Sequence, residues 1–260
     1  MFPQFVSLAF AALIGAALGS FANVVIIRFH EEVSLWGRSA CPTCKKHLRP
    51  RHLVPILSWL MLRGRCADCK ASIHVQYPLV EGVAVLLALT AALRYDPFTS
   101  PLLFGGELIL ILGFLVPVVM DIRWKELPIE YLVVLGLFGA FIRGAGFTFE
   151  GFFLTQFFFD LILPVVAAST FFGLQVLLSK GRWMGSGDIW FGGMMGAILG
   201  WPGVLVGVYL AYVIGGMVAL FGLAFKIYKR GDRLPFAPAL ALGTLIAHWY
   251  GPRLLSLFSL

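Results

Sequence analysis

Residues 5–27 read FVSLAFAALIGAALGSFANVVII, a run without a single charged side chain. A helix of about 20 apolar residues crosses the hydrocarbon core of a bilayer, so this run predicts a transmembrane helix. No Lys or Arg precedes it, whereas a cleaved signal peptide begins with a basic region. We therefore expect a retained first membrane helix over residues 1–27.

The rest of the chain is equally apolar. The 260 residues are 60% hydrophobic and 13% charged, whereas a soluble domain is about half apolar and a quarter charged. The sequence therefore predicts an all-α polytopic membrane protein with about eight transmembrane helices, in which residues 78–260 form the main bundle. The seven further apolar segments are 78–93, 101–120, 128–142, 152–178, 189–199, 204–225 and 235–250.

Positive charge predicts the orientation of these helices. The connections at 28–77, 121–130, 180–188 and 226–233 hold 17 of the 20 Lys and Arg residues, and all four fall on one side of an eight-helix bundle. The positive-inside rule makes that side cytoplasmic, with both termini outside. Basic loops that set topology and contact anionic lipid account for the net charge of +7, so we expect no nucleic-acid partner.

The polar segment 28–77 carries all four cysteines, as Cys41-Pro-Thr-Cys44 and Cys66-Ala-Asp-Cys69. Two C-x-x-C pairs at this separation are typical of a zinc ribbon, because each pair supplies two thiolates and four thiolates close a tetrahedral shell. The alternatives are two disulfides, which a reducing cytoplasmic loop disfavours, and four unrelated thiols. We expect a structural zinc ion in a small zinc-ribbon-like domain, since a loop of this size buries little core.

Two aspartates mark the ends of apolar segments on the predicted cytoplasmic side. Asp121 follows the segment 101–120, and Asp188 precedes the segment 189–199 in Gly185-Ser186-Gly187-Asp188. Acids in membrane helices are costly, and a pair of acids can share one proton and act as general base and general acid. Taken singly, Asp121 can be read as an interfacial acid and Asp188 as a helix N-cap. Together they predict an aspartyl protease site.

The glycines beside Ser186 are expected to support this site. Gly185 and Gly187 allow the backbone to approach a peptide substrate closely and to adopt unusual dihedral angles. The segments 128–142 and 189–199 are short for a bilayer crossing, which suits a site in a water-filled cavity.

These motifs together resemble the bacterial type IV prepilin peptidases, which are membrane leader peptidases and N-methyltransferases of the GxGD aspartyl protease type. The resemblance extends over nearly the whole chain. The matching residues are Gly19-Ser20-Phe21-Ala22-Asn23-Val24 with Arg28, both cysteine pairs, Pro55–Leu60, Arg63-Gly64-Arg65, Tyr77–Glu81, Asp121 with Pro128, and Gly185–Asp188.

The resemblance implies a bifunctional enzyme of the bacterial inner membrane, with its active site and zinc loop in the cytoplasm. Such enzymes remove the leader of type IV prepilins or type II secretion pseudopilins. In this chain, the resemblance implies that Asp121 and Asp188 are the catalytic residues. They then methylate the new N-terminus with S-adenosylmethionine, an activity associated with the N-terminal region; the peptidase core would lie in 101–250. Two positions differ from the family pattern: Trp190 replaces a common Lys, and Ile129 replaces a common Asp.

Two other functions are compatible with parts of this pattern. A non-catalytic scaffold of a pilus or secretion machine would use the cysteine loop for docking and would not need the aspartates. A small transporter would use acids to carry protons, but such acids are spread through the membrane depth, whereas Asp121 and Asp188 share one face. We assign no residues to S-adenosylmethionine, because the sequence has no glycine loop of the soluble type.

Overall fold

A computed structural model describes residues 4–144, 155, 157–227, 229 and 234–257. This part of the chain is helical, and its only β pairing consists of two isolated bridges in the cysteine loop. The chain divides into two compact units, Met1–Val116 and Pro117–Leu260. The expected all-helical class is confirmed.

The first unit holds four α-helices and the cysteine loop. Its long helices α1 (Gln4–His30) and α3 (Gln76–Arg94) pack closely, because glycines of α1 face alanines of α3. A Cβ atom on Gly15 would lie 2.6 Å from Cβ of Ala88, and one on Gly19 would lie 2.6 Å from Cβ of Ala84. Small residues of this kind bring membrane helices together. The helices are α1 (Gln4–His30), α2 (Leu57–Met61), α3 (Gln76–Arg94) and α4 (Pro101–Gly113).

The third apolar segment is interrupted at Phe114. Helix α4 ends at Gly113, and α5 (Leu115–Trp124) begins immediately afterwards. Pro117 explains the break, because proline has no N–H for the fourth preceding carbonyl and its ring clashes with that carbonyl. The last turns of α5 carry Asp121.

The second unit contains most of α5 and all of α6 to α10, and α8 (Gly187–Leu199) lies at its centre. Nine of the 13 residues of α8 are buried, including Asp188. Glycines allow its neighbours to approach: a Cβ on Gly192 would lie 2.3 Å from the Phe172 ring of α7, and one on Gly139 of α6 would lie 2.5 Å from Ile198. The remaining helices are α6 (Ile129–Gly144), α7 (Leu163–Ser179, after a π-helical turn at Phe158–Ile162), α8 (Gly187–Leu199), α9 (Gly203–Ala224) and α10 (Ala237–Leu257).

Each predicted apolar segment contains helix, and among the described residues five helical stretches are long and apolar enough to cross a membrane. They are Gln4–His30, Gln76–Arg94, Pro101–Trp124, Phe158–Ser179 and Gly203–Ala224. A multi-pass membrane protein is therefore confirmed. The helices α6, α8 and α10 are not among the five, and positions 152–154 and 156 of the fifth predicted segment lie outside the described residues.

Candidate metal centre and active site

The two cysteine pairs form two turns with the same backbone pattern. In the first, Cys41 N–H donates to Lys46 O at 3.0 Å and Lys45 N–H donates to Cys41 O at 2.8 Å. In the second, Cys66 N–H donates to Ala71 O at 2.8 Å and Lys70 N–H donates to Cys66 O at 3.1 Å. An isolated antiparallel bridge closes each turn, Ala40 to His47 and Arg65 to Ser72. The sequence repeat is therefore also a structural repeat.

The two turns face each other and bring the four sulfur atoms together. All four Sγ atoms lie within 4.8 Å of one another, and those of Cys41 and Cys69 are 3.8 Å apart. Tetrahedral zinc with Zn–S distances of about 2.3 Å requires a sulfur–sulfur separation of about 3.8 Å, so this arrangement fits a four-thiolate metal site. Cys41 and Cys66 are buried, whereas Cys69 is exposed.

The first turn also stabilises the thiolate form of one ligand. The Cys44 and Thr43 N–H groups hydrogen-bond the Cys41 sulfur and, against the opposing effect of burial, lower the pKa of this thiol to about 6. Metal ions bind thiolates rather than thiols. The backbone of the turn therefore prepares Cys41 as a ligand.

The second unit brings Asp121 and Asp188 to one cavity. The cavity has a volume of about 930 Å³, and both aspartates line it together with the Gly185–Gly187 loop. Each residue is buried, with 8% and 6% of its surface exposed, and the two carboxyl groups are close enough to interact electrostatically. The structure thus places both aspartates on the wall of one cavity.

A local loop holds Asp188. Its carboxylate accepts a hydrogen bond from the Gly185 N–H at 3.0 Å, while its own N–H donates to the Gly185 carbonyl at 3.2 Å. This reciprocal pair resembles a capping box, in which an acid in the first turn satisfies a free amide just before the helix. The short connection before α8 therefore fixes the carboxylate at the cavity.

A distant segment holds Asp121. The Ala237 N–H, at the start of α10, donates to Oδ2 of Asp121 at 2.7 Å, and the Phe236 N–H donates to the same side chain. The first amides of a helix have no partner within the helix, so the carboxylate of Asp121 and the N-terminus of α10 satisfy each other. Sequence analysis missed this contact, because backbone amides carry no residue signature.

The two glycines act differently from the expectation. Among the described residues the glycines with positive φ are Gly37, Gly64, Gly181 and Gly200, so the expectation of unusual dihedral angles at 185 and 187 is wrong. Gly187 is instead required by packing, since a Cβ there would lie 2.7 Å from Cβ of Leu127. Gly185 contributes its N–H group to Asp188, and a Cβ on it would meet nothing closer than 3.8 Å.

Two polar side chains in the cavity wall were also missed by sequence analysis. The Tyr212 hydroxyl of α9 donates to Oε1 of Gln175 at 2.7 Å, and both residues line the same cavity as the aspartates. The ring of Tyr212 packs edge-on against Phe236, with centroids 5.4 Å apart. Both lie in long apolar helices, where a single Tyr or Gln gives no sequence signal of a site.

The two positions that differ from the family pattern lie in different places. Ile129 contributes to the wall of the aspartate cavity. Trp190, in the first turn of α8, has 49% of its surface exposed. The cavity wall of this chain is therefore apolar at position 129.

Comparisons with known proteins match two successive regions of the chain. Residues 13–95 match the bacterial Peptidase A24 N-terminal domain, and residues 108–220 match the type IV leader peptidase family. The prepilin leader peptidase/N-methyltransferase of Bacillus subtilis is 31% identical over 95% of this chain and 95% of its own length. The proteins of the same name from Stutzerimonas stutzeri and Pseudomonas aeruginosa are 28% and 27% identical, over 94% and 93% of this chain and 91% and 90% of their own lengths.

No solved structure was found to match the chain. The sequence relatives nevertheless cover almost its full length, and both domains of the family match in order. This chain belongs to the type IV leader peptidase family, Peptidase A24.

Proposed function

We propose that this protein is a membrane aspartyl endopeptidase that removes the leader peptide of type IV prepilins or type II secretion pseudopilins and N-methylates the new N-terminus. The observation that supports the peptidase most directly is the pair Asp121 and Asp188 on one cavity, each carboxylate fixed by backbone N–H groups. Relatives named prepilin leader peptidase/N-methyltransferase support both activities.

Cleavage uses the two carboxyl groups in complementary protonation states. One carboxylate accepts a proton from a water molecule as the water oxygen bonds to the carbon of the scissile carbonyl, and the partner carboxylic acid donates its proton to the carbonyl oxygen. The tetrahedral intermediate then collapses. The carboxyl group that took the proton from water donates it to the amide nitrogen as the C–N bond breaks, and its partner takes back the proton from the carbonyl-derived hydroxyl. A leader with a new carboxylate and a pilin with a new amine result.

The cavity suits an extended peptide. Its wall combines the loop before α8 with the polar pair Tyr212 and Gln175, which offer hydrogen-bonding groups beside the aspartates. A membrane-inserted prepilin helix would place its unwound end across Asp121 and Asp188, while the rest of the helix stays in lipid. The backbone of Gly185–Gly187 forms the loop before α8 that positions Asp188.

The second reaction transfers a methyl group to the amine that cleavage releases. S-adenosylmethionine is the methyl donor that the names of the relatives imply. We associate this activity with the N-terminal region of the chain, which matches the N-terminal domain of the family.

The four cysteines would hold a structural zinc ion. Cys41, Cys44, Cys66 and Cys69 offer four sulfur atoms at distances that fit one tetrahedral ion. Four thiolates leave no open coordination position for chemistry. The ion would contribute folding free energy to the 28–77 loop, a small segment with little apolar core.

We further propose that the chain crosses the bacterial inner membrane eight times, with both termini outside and the cysteine loop and aspartates at the cytoplasmic face. The distribution of Lys and Arg supports this orientation. Helix α8 has 13 residues and a length of about 20 Å, shorter than the roughly 30 Å hydrocarbon core. Its N-terminus would therefore lie below the membrane surface, so that the 101–250 peptidase core holds its aspartates in a recessed cavity.

Reconstituted full-length protein and a prepilin substrate provide the test. Mass spectrometry of the product reports leader removal and the added methyl group together. We expect wild type to produce both changes. Asp121→Asn and Asp188→Asn should each lower cleavage at least 10²-fold, since general acid–base catalysis contributes about 10²–10⁴ in rate. Glu130→Gln, which changes an exposed acid at the start of α6, is the matched control and should cleave normally.

Each outcome separates the alternatives. A wild-type protein that leaves the leader intact would favour the scaffold. Cleavage that survives in either Asp→Asn variant at the rate of Glu130→Gln would remove that aspartate from the mechanism. A separate assay of substrate binding to the Asp→Asn variants should give unchanged affinity, which distinguishes lost chemistry from lost folding.

A further inference from the structure

The short helix α2 exposes an unusually apolar surface for part of a polar loop. Met61 has 82% of its surface exposed. Other exposed apolar side chains of this stretch are Leu53, Val54, Leu57 and Leu60. The opposite side of α2 is occupied, because the Trp59 indole donates to the Ile73 carbonyl at 3.2 Å and its ring packs over Gly64. One side of α2 therefore rests on the second cysteine turn, and the apolar side chains of the other side are exposed in the part of the chain that the structure describes.

Hydrogen bonds set the depth of α2 relative to the membrane helices. The Ile56 N–H, just before α2, donates at 2.6 Å to the carboxylate of Glu81, which also accepts a hydrogen bond from the Ser20 hydroxyl. Glu81 is five residues into α3, about 7.5 Å from its start, and Ser20 is ten residues, about 15 Å, before the end of α1. The start of α2 therefore lies beside the two membrane helices, below both of their ends.

The backbone at this anchor is fixed in an uncommon conformation. Ile56 has φ of 62°, a region that β-branched residues rarely adopt. Its N–H group is held by Glu81 at the point where the chain enters α2. Nearby, the Gln76 side chain donates to Asn23 at 3.1 Å, and Asn23 donates to the Tyr77 carbonyl at 3.1 Å. The position of α2 is thus tied to both α1 and α3.

Positive charges flank the apolar surface on both sides. Arg49 and Arg51 precede α2, and Arg63 and Arg65 follow it; all four are exposed. The whole 28–77 segment has many Lys and Arg residues but only three Asp or Glu residues. Apolar side chains bordered by cations are the pattern of helices that lie in the interface of anionic membranes.

We propose that residues 53–61 form an interfacial membrane anchor. Leu57, Leu60 and Met61 insert into the acyl region of the leaflet on the side of the cysteine loop, and the flanking arginines bind the phosphates of anionic phospholipids. Ile56 lies beside α1 and α3 and below the ends of both helices. A side chain at this depth on the outer surface of the two helices faces the bilayer, which favours lipid over a protein partner. The anchor holds the second cysteine turn, through Trp59, against the membrane surface.

Site-specific photo-crosslinking tests the proposal. A benzophenone amino acid replaces Met61 in the full-length protein, and the same residue at Arg38, an exposed position before the first cysteine turn, is the control. Both proteins are placed in nanodiscs of phosphatidylcholine with phosphatidylglycerol and irradiated. Mass spectrometry should find lipid adducts at position 61 at least tenfold more often than at 38. Bound metal and prepilin cleavage verify that both proteins are folded.

The contrary outcomes are equally specific. Equal labelling of 61 and 38 by lipid would overturn the anchor, as would adducts from 61 to a second copy of the chain or to a prepilin. The charge component is tested by replacing the four flanking arginines with glutamine. Adduct formation at 61 should then lose its dependence on phosphatidylglycerol, and an unchanged dependence would contradict the role of the arginines.

Discussion

Gly187→Ala is the smallest change that tests how the aspartate loop is built. The new Cβ would lie 2.7 Å from Cβ, 2.9 Å from Cδ1 and 3.2 Å from Cγ of Leu127. Carbon atoms in ordinary contact are about 3.5–4.0 Å apart, so the two segments must separate by roughly 0.8 Å or more. Overpacking of this kind costs about 1–3 kcal/mol. Both segments line the cavity that holds the two aspartates.

The expected effect on catalysis is larger than the effect on stability. Displacement of reacting groups by about 1 Å costs roughly 10²-fold in rate, and Asp188 directly follows the substituted glycine. We therefore expect Gly187→Ala to lower the rate of leader cleavage about 10- to 100-fold. Initial rates on a prepilin, measured by mass spectrometry with reconstituted protein, provide the assay. Helix propensity does not explain a loss, since alanine favours a helix by about 1 kcal/mol over glycine.

Gly185→Ala is the matched control. A Cβ at 185 would approach nothing closer than Oδ2 of Asp188 at 3.8 Å, and the N–H that binds Asp188 remains. We expect a rate within about threefold of wild type, because no contact has to move. Leu127→Gly removes all three clashing atoms, so the double variant with Gly187→Ala should be more active than Gly187→Ala alone. Equal losses at 185 and 187, or no rescue, would refute the packing argument.

Three further changes test other parts of the molecule. Ala237→Pro removes the N–H that binds Asp121, while proline is well tolerated at the first position of a helix. Loss of a hydrogen bond worth about 1.5–3 kcal/mol should slow cleavage at least tenfold. An unaltered rate would show that this amide has no role in catalysis. Cys66→Ser should lower bound zinc below one ion per chain and make the cysteine loop sensitive to protease, as measured by elemental analysis and limited proteolysis; full zinc content would exclude Cys66 as a ligand. Tyr212→Phe keeps the ring but removes the donor to Gln175, so kcat/KM should fall by up to about tenfold, and wild-type kinetics would show that the hydroxyl serves packing alone.

The membrane helices could be predicted from sequence because their signal is local. Hydropathy predicts the first segment at 5–27 and the last at 235–250, and the structure has helix at Gln4–His30 and Ala237–Leu257. The cysteine repeat was equally readable, since spacing alone determines how each turn folds. The break at Phe114 was missed, although Pro117 was visible, because an apolar run with proline in it can either bend or end.

Helix α2 was missed for a different physical reason. Residues 57–61 are too few to give a helical period, and the helix is stabilised by contacts with distant residues. Its entry depends on Glu81, and its inner side depends on Ile73 and Gly64. None of these partners is marked by the sequence of α2 itself.

The aspartate site shows where local reasoning ends. Asp188 is held by its own loop, three residues away, so its motif contained most of its environment. Asp121 is held by α10, whose first amide is 116 residues further along the chain. A carboxylate in a membrane protein needs donors to offset the loss of water, and a helix N-terminus offers them without any polar side chain. The burial of Asp121 therefore predicts that another segment supplies hydrogen-bond donors to it. It does not predict which segment, because the unpaired amides at the start of any of the later helices would have satisfied the same need.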